Sequence, residues 1–251
     1  MGKLIKYEFK GRQKRVLGTF VALVLFNIYL LTRISSWSEG ALLAFLALEF
    51  ATVFILIVSE GVSSMSRELY SDTGYLLFTL PQKGYAILAA KLISVLGEFI
   101  IASAVAVGGA YVVLVNIFSQ EIVWQLVVNF RNIIVFSALA MIALFVVIII
   151  LAGFSLVSGR IAIRRRKGGK LISFIIFVAL IWGINWLDTL VMWLAPYTVS
   201  LNIMPINYQS GNFSMNLPAI ELNIASTITQ LLIYIGLFAA SAYLIDRKLD
   251  V

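Results

Sequence analysis

Six apolar runs dominate the chain, at about 16–32, 40–62, 86–115, 132–157, 171–195 and 223–245. Each reaches the roughly 17–25 residues that an α-helix needs to cross a bilayer. In hydrocarbon every backbone N–H and C=O must be satisfied within the protein, so only helices and closed barrels span it. These runs are continuous rather than alternating, which predicts an all-α, polytopic membrane protein with six transmembrane helices. Composition agrees: 61% of residues are hydrophobic and 12% charged, with a mean hydropathy of +1.01. A soluble domain carries about 25% charged residues. Residues 1–251 read as a single transmembrane domain, with no room for a separate soluble catalytic domain.

Charge sets the orientation. Six crossings return both termini to one side. On that side fall the basic residues of 1–15, Arg67, Lys83 and Lys91, the six at 158–170, and Arg247 with Lys248, which leaves only Arg33 and Arg131 opposite. Basic flanks stay in the cytoplasm, so the N- and C-termini are expected there. The same clustering beside apolar runs argues against nucleic acid as the partner of a chain with net charge +7. The first run is too long for a secretory core and lacks a small-x-small cleavage site, so it reads as a retained span. Trp37 and Trp124 fall in or beside outer loops, and Trp182, Trp186 and Trp193 in the outer half of the fifth span. That distribution reads as an interfacial belt, or, for the last three, as a stacking surface on one helix face.

The N-terminal segment places Lys3, Lys6, Lys10 and Lys14 on one helical stripe, with Leu4, Ile5 and Phe9 off it. It is expected to rest on an anionic membrane surface, or to act simply as a positive flank; the two are compatible. Ser63–Lys91 is unusual. It is too polar at its start to cross a bilayer, yet Tyr75, Leu76, Leu77, Phe78 and Leu80 make it too apolar for a solvated loop. An amphipathic surface segment ended by Pro81 fits this pattern, either as a lipid anchor or as a place where another protein takes hold. The segment around 119–131 contains IVWQLVVNF and is expected along the outer surface. The largest outer loop, 196–222, holds Pro196, Pro205 and Pro218 and cannot be a continuous span.

Chemistry is sparse. With no cysteine and no histidine, thiolate nucleophiles, imidazole bases and the commonest zinc sites are absent. The run RIAIRRRKGGK at 160–170 fails as a phosphate loop, because Arg164 replaces the first glycine and Leu171 the Ser or Thr. Asp72-Thr73-Gly74 matches the aspartic-protease tripeptide but occurs once, on the cytoplasmic side, and reads as coincidence. Glu49, Glu98 and Asp188 fall inside predicted spans. A central charge costs about 2.5–3.5 kcal/mol on insertion scales, so each lines a translocation route or makes an interhelical hydrogen bond. Clusters of small residues, Gly108-Gly109-Ala110 and Gly236 with Ala240, permit close helix contact within or between chains.

A six-span chain that opens LIKYEFK, carries ELYSDTGYLLFTLPQKGYAILAAK after its second span and ends SAYLIDRKLDV resembles the membrane subunits of bacterial type-two ABC transporters. The resemblance implies a permease subunit in the bacterial cell membrane, working as a dimer of two copies above two copies of a cassette ATPase. That ATPase would bind the ATP and Mg; this chain would hold no cofactor and would not itself be an enzyme. It also implies a cytoplasmic coupling helix over 66–81, which would dock on the ATPase. Glu68 and Asp72 would lead into it, Thr73, Gly74, Tyr75, Phe78 and Leu80 would form it, and the turn Thr79-Leu80-Pro81 would end it. The amphipathic N-terminal helix over 1–15 would touch the same partner. An extracellular helical cap over 196–222 would cover the exit between spans five and six. Relatives of this size point to amphipathic peptide toxins or bacteriocins as substrate. The alternatives are an ATPase-independent self-protection factor and a proton-coupled transporter using Glu49 or Glu98.

Overall fold

A computed structural model describes residues 2–70, 83–163, 166–201, 208–210, 213–215 and 220–248. Its elements are α1 (Gly2–Arg33), α2 (Glu39–Tyr70), α3 (Gly84–Phe118), α4 (Gln120–Asn129), α5 (Arg131–Ala162), α6 (Arg166–Leu194), four short strands, and α7 (Ile224–Lys248). None of the four prolines falls in a described helix. Six helices, all but α4, are long and apolar enough to cross a membrane, as their sequences require. Five of them run 29 residues or more, beyond the roughly 20 that hydrocarbon demands, so their polar ends project from it. The segment expected along the outer surface is the short helix α4.

Local chemistry sets the boundaries. The Ser38 hydroxyl accepts the Ala41 N–H and caps α2. Asn223 does the same for α7, its side chain accepting the Ser226 N–H while donating to the Ala195 carbonyl. Between α3 and α4 the chain turns at Ser119, whose φ of 71° lies in the left-handed region that glycine usually fills.

Two expectations are corrected. The N-terminal amphipathic segment is not a separate surface helix: α1 runs unbroken from Gly2 to Arg33, because Gly11 and Gly18 alone do not stop a helix and no proline intervenes. Its off-stripe face also meets protein, since the Phe9 ring packs over Gly97 of α3. The cap over 196–222 is not helical among the described residues. It holds β1 (Thr198–Leu201) paired antiparallel with β4 (Ile220–Asn223), and β2 (Tyr208–Ser210) with β3 (Phe213–Met215). Thr198 pairs with Asn223 and Leu201 with Ile220. Thr-Val-Ser-Leu and Ile-Glu-Leu-Asn alternate polar and apolar side chains, a strand period that no helix matches.

The chain divides into two compact units. The first comprises residues 1–65 and 86–127. In it Leu30, Leu42, Leu46, Ala110 and Val113 form a buried cluster under Phe26, Trp37 and Phe45, with the Trp37 and Phe45 rings stacked at 4.8 Å. The second comprises residues 66–85 and 128–251, and α5 packs there on α6 and α7. Gly159 makes the α5–α6 approach possible: a Cβ on it would overlap the Ser173 hydroxyl and stand 2.8 Å from both Gly169 O and Ser173 N. Gly108 and Gly236, by contrast, have nothing within 4 Å of an added Cβ, so neither makes a close helix contact among the described residues.

Candidate functional site

Within the first unit, three helices each bring a polar stripe to one place. On α1 it is Glu8, Arg12 and Arg15, on α2 Glu60 and Ser64, and on α3 Lys91 and Glu98. These spacings of three, four and seven residues keep each set on one helix face. Arg12 Nη1 donates to Glu98 Oε2 at 3.3 Å, and Arg12 Nε stands 3.9 Å from Glu8 Oε2. Lys91 Nζ donates to Glu8 Oε1 at 3.4 Å and to Ser64 Oγ at 3.5 Å. Arg15 pairs with Glu60 at 3.6 Å, more openly. Arg12, Lys91 and Glu98 are 7%, 2% and 2% exposed. Among the described residues Arg12, Arg15 and Lys91 face Glu8, Glu60 and Glu98, so that each buried charge has an opposite charge beside it.

Depth along the helices gives this cluster its meaning. Arg12, Glu60 and Glu98 each lie about 20 residues from the opposite end of their helix, one hydrocarbon thickness. The cluster therefore sits where α1, α2 and α3 leave the apolar layer at their basic end. Glu98, expected on a translocation route, is the inner member of this ion-pair cluster. The exposed face of the same α1 segment carries Lys6, Lys10 and Lys14.

Glu49 forms a second polar contact of the first unit. Asn27 Nδ2 donates to Glu49 Oε1 at 2.7 Å and to the Leu23 carbonyl at 3.0 Å. Both side chains are buried, and Asn27 fills the space that a Cβ on Gly109 would need. In the second unit Asp188 accepts a hydrogen bond from the Ser226 hydroxyl. All three acids placed in spans by the sequence therefore have a polar partner. The Trp182, Trp186 and Trp193 side chains are exposed.

The flanks of the α2–α3 connection belong to the second unit. The Tyr70 hydroxyl donates to the Leu156 carbonyl at 3.3 Å and shares a hydrogen bond of 2.9 Å with Ser173 Oγ. The Arg160 guanidinium lies 5.6 Å from the centre of the Tyr70 ring. The Gly84 N–H donates to Asp246 Oδ1 at 2.5 Å. Gly84 must be glycine, because a Cβ would stand 2.7 Å from the Ala242 carbonyl oxygen. Of the coupling residues, Glu68 is in the last turns of α2, while Asp72, Thr73, Gly74, Tyr75, Phe78, Thr79, Leu80 and Pro81 lie outside the described residues.

Sequence reasoning missed Arg12 as the partner of Glu98, and Glu8, Glu60 and Asn27 altogether. A charge stripe on each of three helices was the available signal, and a lone Asn in an apolar span was another. No group of three or more acidic side chains among the described residues is placed to hold a metal ion.

The fold is that of a multi-pass, α-helical membrane protein. No protein-family model matches the chain, and no curated protein or solved structure is similar to it.

Proposed function

We propose that this chain is the membrane permease subunit of an ATP-driven exporter in the bacterial cell membrane. In this reading two copies of the chain form the pathway, and two copies of a separate cassette ATPase dock on the cytoplasmic connection between α2 and α3. The observation that carries it is the rooting of that connection. Immediately before it, Tyr70 is buried and bonded to α5 and α6; immediately after it, Gly84 is clasped by α7. A load on residues 71–83 would pass directly into three spanning helices, and through the continuous α2 and α3 into the first unit. A lipid anchor has no need of such footing. The sequence carries no phosphate loop of its own, and in this reading the separate ATPase supplies the energy.

The substrate class we infer is an amphipathic, partly cationic peptide entering from the membrane. Apolar helix faces with few carboxylates suit it. A second reading, proton-coupled transport, is favoured by one feature: Glu49 Oε2 is buried without a hydrogen-bond partner among the described residues. Transport into ATP-free vesicles that follows a proton gradient and disappears in Glu49→Gln would establish that second reading instead.

The docking claim is tested by co-purification with a stand-alone cassette ATPase from the same cell. The wild-type chain should bring the ATPase down, and a Phe78→Asp/Leu80→Asp chain, still membrane-inserted, should not. Undiminished association of the double variant would overturn the docking assignment.

A further inference from the structure

Asn27 and Glu49 meet inside the first unit, well within the apolar layer. Glu49 lies ten residues beyond Glu39, the first residue of α2, which is about 15 Å of helix and half of a hydrocarbon core about 30 Å thick. The two residues are 7% and 4% exposed. Three or four residues away on the same helix faces stand Leu23 and Leu30 of α1, Leu46 and Val53 of α2, and Ala106 and Val113 beside Gly109 of α3, all buried. The nearest charged residues along the three helices are Arg15 and Arg33, Glu39 and Glu60, and Glu98. Arg33 sits over the Tyr29 and Trp37 rings, Arg15, Glu60 and Glu98 belong to the ion-pair cluster, and Glu39 is exposed. None of them pairs with Glu49.

The hydrogen bonds decide which end of the amide is which. The Leu23 carbonyl can only accept, so the Asn27 atom beside it is the nitrogen. The other N–H of that nitrogen goes to Glu49 Oε1. Asn27 Oδ1 and Glu49 Oε2 remain, both buried and both without a hydrogen-bond partner among the described residues. A Cβ added at Gly109 would stand 2.3, 2.4 and 2.5 Å from Asn27 Cγ, Oδ1 and Nδ2, so the amide lies flat against α3 and its face is taken. With Glu49 ionised, both remaining oxygens are acceptors, and two groups already joined by one bond lack the same thing, a hydrogen. A metal ion does not fit: a hard cation takes about six oxygens or more, and this contact offers two.

We propose that Glu49 binds a proton here. As a neutral carboxylic acid its Oε2–H donates to Asn27 Oδ1, while Asn27 Nδ2 donates to Glu49 Oε1. The two bonds close a reciprocal acid–amide pair that ties α1 to α2 against Gly109 of α3. One proton thereby satisfies both leftover oxygens and removes a charge from the middle of the layer, where an ionised carboxylate is most costly. The inference goes beyond either transport reading, because a proton held is not a proton moved.

Infrared absorption of the full chain in lipid nanodiscs at neutral pH tests it, since the C=O stretch of a carboxylic acid stands clear of the carboxylate and amide bands. The wild-type chain should show an acid band. Glu49→Gln should remove its Glu49 component and keep the fold, because a glutamine amide accepts and donates where the acid does; Glu49→Leu gives the same subtraction if Glu49→Gln does not fold. Asn27→Leu, or the smaller Asn27→Ala, should move that component to higher frequency, the acid having lost its partner. An absent acid band in the wild type, as a carboxylate bridged to Asn27 by water would give, overturns the proposal. So does a band left unchanged in a folded Glu49 variant or unmoved in a folded Asn27 variant.

Discussion

The two compact units solve one problem in different ways. Each must hold polar groups inside a chain that lives largely in lipid. The first unit does so with side chains that pair across helices: Arg12 with Glu98, Lys91 with Glu8, Asn27 with Glu49. The second combines hydroxyl pairs, Ser226 with Asp188 and Tyr70 with Ser173, with close backbone approach. There Gly159, Ser173 and Gly169 let α5 and α6 nearly touch, and the Tyr70 and Asp246 side chains bond to main-chain atoms of other helices. Side-chain pairs can be exchanged or re-spaced with small rotations. Backbone contacts through glycine have one geometry. Residues of both units flank the α2–α3 connection, Ser64 and Lys91 of the first and Tyr70 and Gly84 of the second.

Breaking the ionic side of this contrast should have the largest effect. Arg12→Gln leaves Glu98 buried without its cation, which typically costs about 3–5 kcal/mol, and thermal unfolding in micelles should show a large loss. The double variant Arg12→Met/Glu98→Met removes both charges and should recover most of that loss; no recovery would mean that Arg12 acts through packing instead. Next comes Gly159→Ala, where the added methyl meets backbone that cannot yield. Overpacking of this kind costs about 1–3 kcal/mol. Gly236→Ala, in open space, should be neutral in the same assay, and equal losses at the two glycines would erase the close-packing half of the comparison. The smallest effect belongs to Arg15→Ala. Its pair with Glu60 is partly exposed on both sides, and such pairs contribute at most about 1 kcal/mol.

The spans were legible because hydrocarbon demands one long apolar run per crossing, whatever the tertiary fold. Their ends were not, because α2 carries Arg67 and Glu68 and α5 carries Arg160 beyond the apolar layer without breaking the helix. The lysine stripe of α1 drew the eye to its exposed face, while the face that matters structurally is that of Glu8 and Arg12. Their spacing was visible. Their pairing with α3 was not, because it depends on how three helices meet rather than on any local period. The strands at 198–201 and 220–223 carry a polar–apolar alternation in their sequence, but over four residues each that signal is short beside the resemblance, which implied a helical cap.

One measurement bears most directly on the central claim that a partner drives this protein through the α2–α3 connection. It is ATP hydrolysis by a cassette ATPase proposed as the partner, co-reconstituted into vesicles with this chain. The account predicts that the wild-type chain stimulates hydrolysis and that Phe78→Asp/Leu80→Asp, inserted to the same level, does not. Equal stimulation by both chains, or none by the wild type, would contradict it.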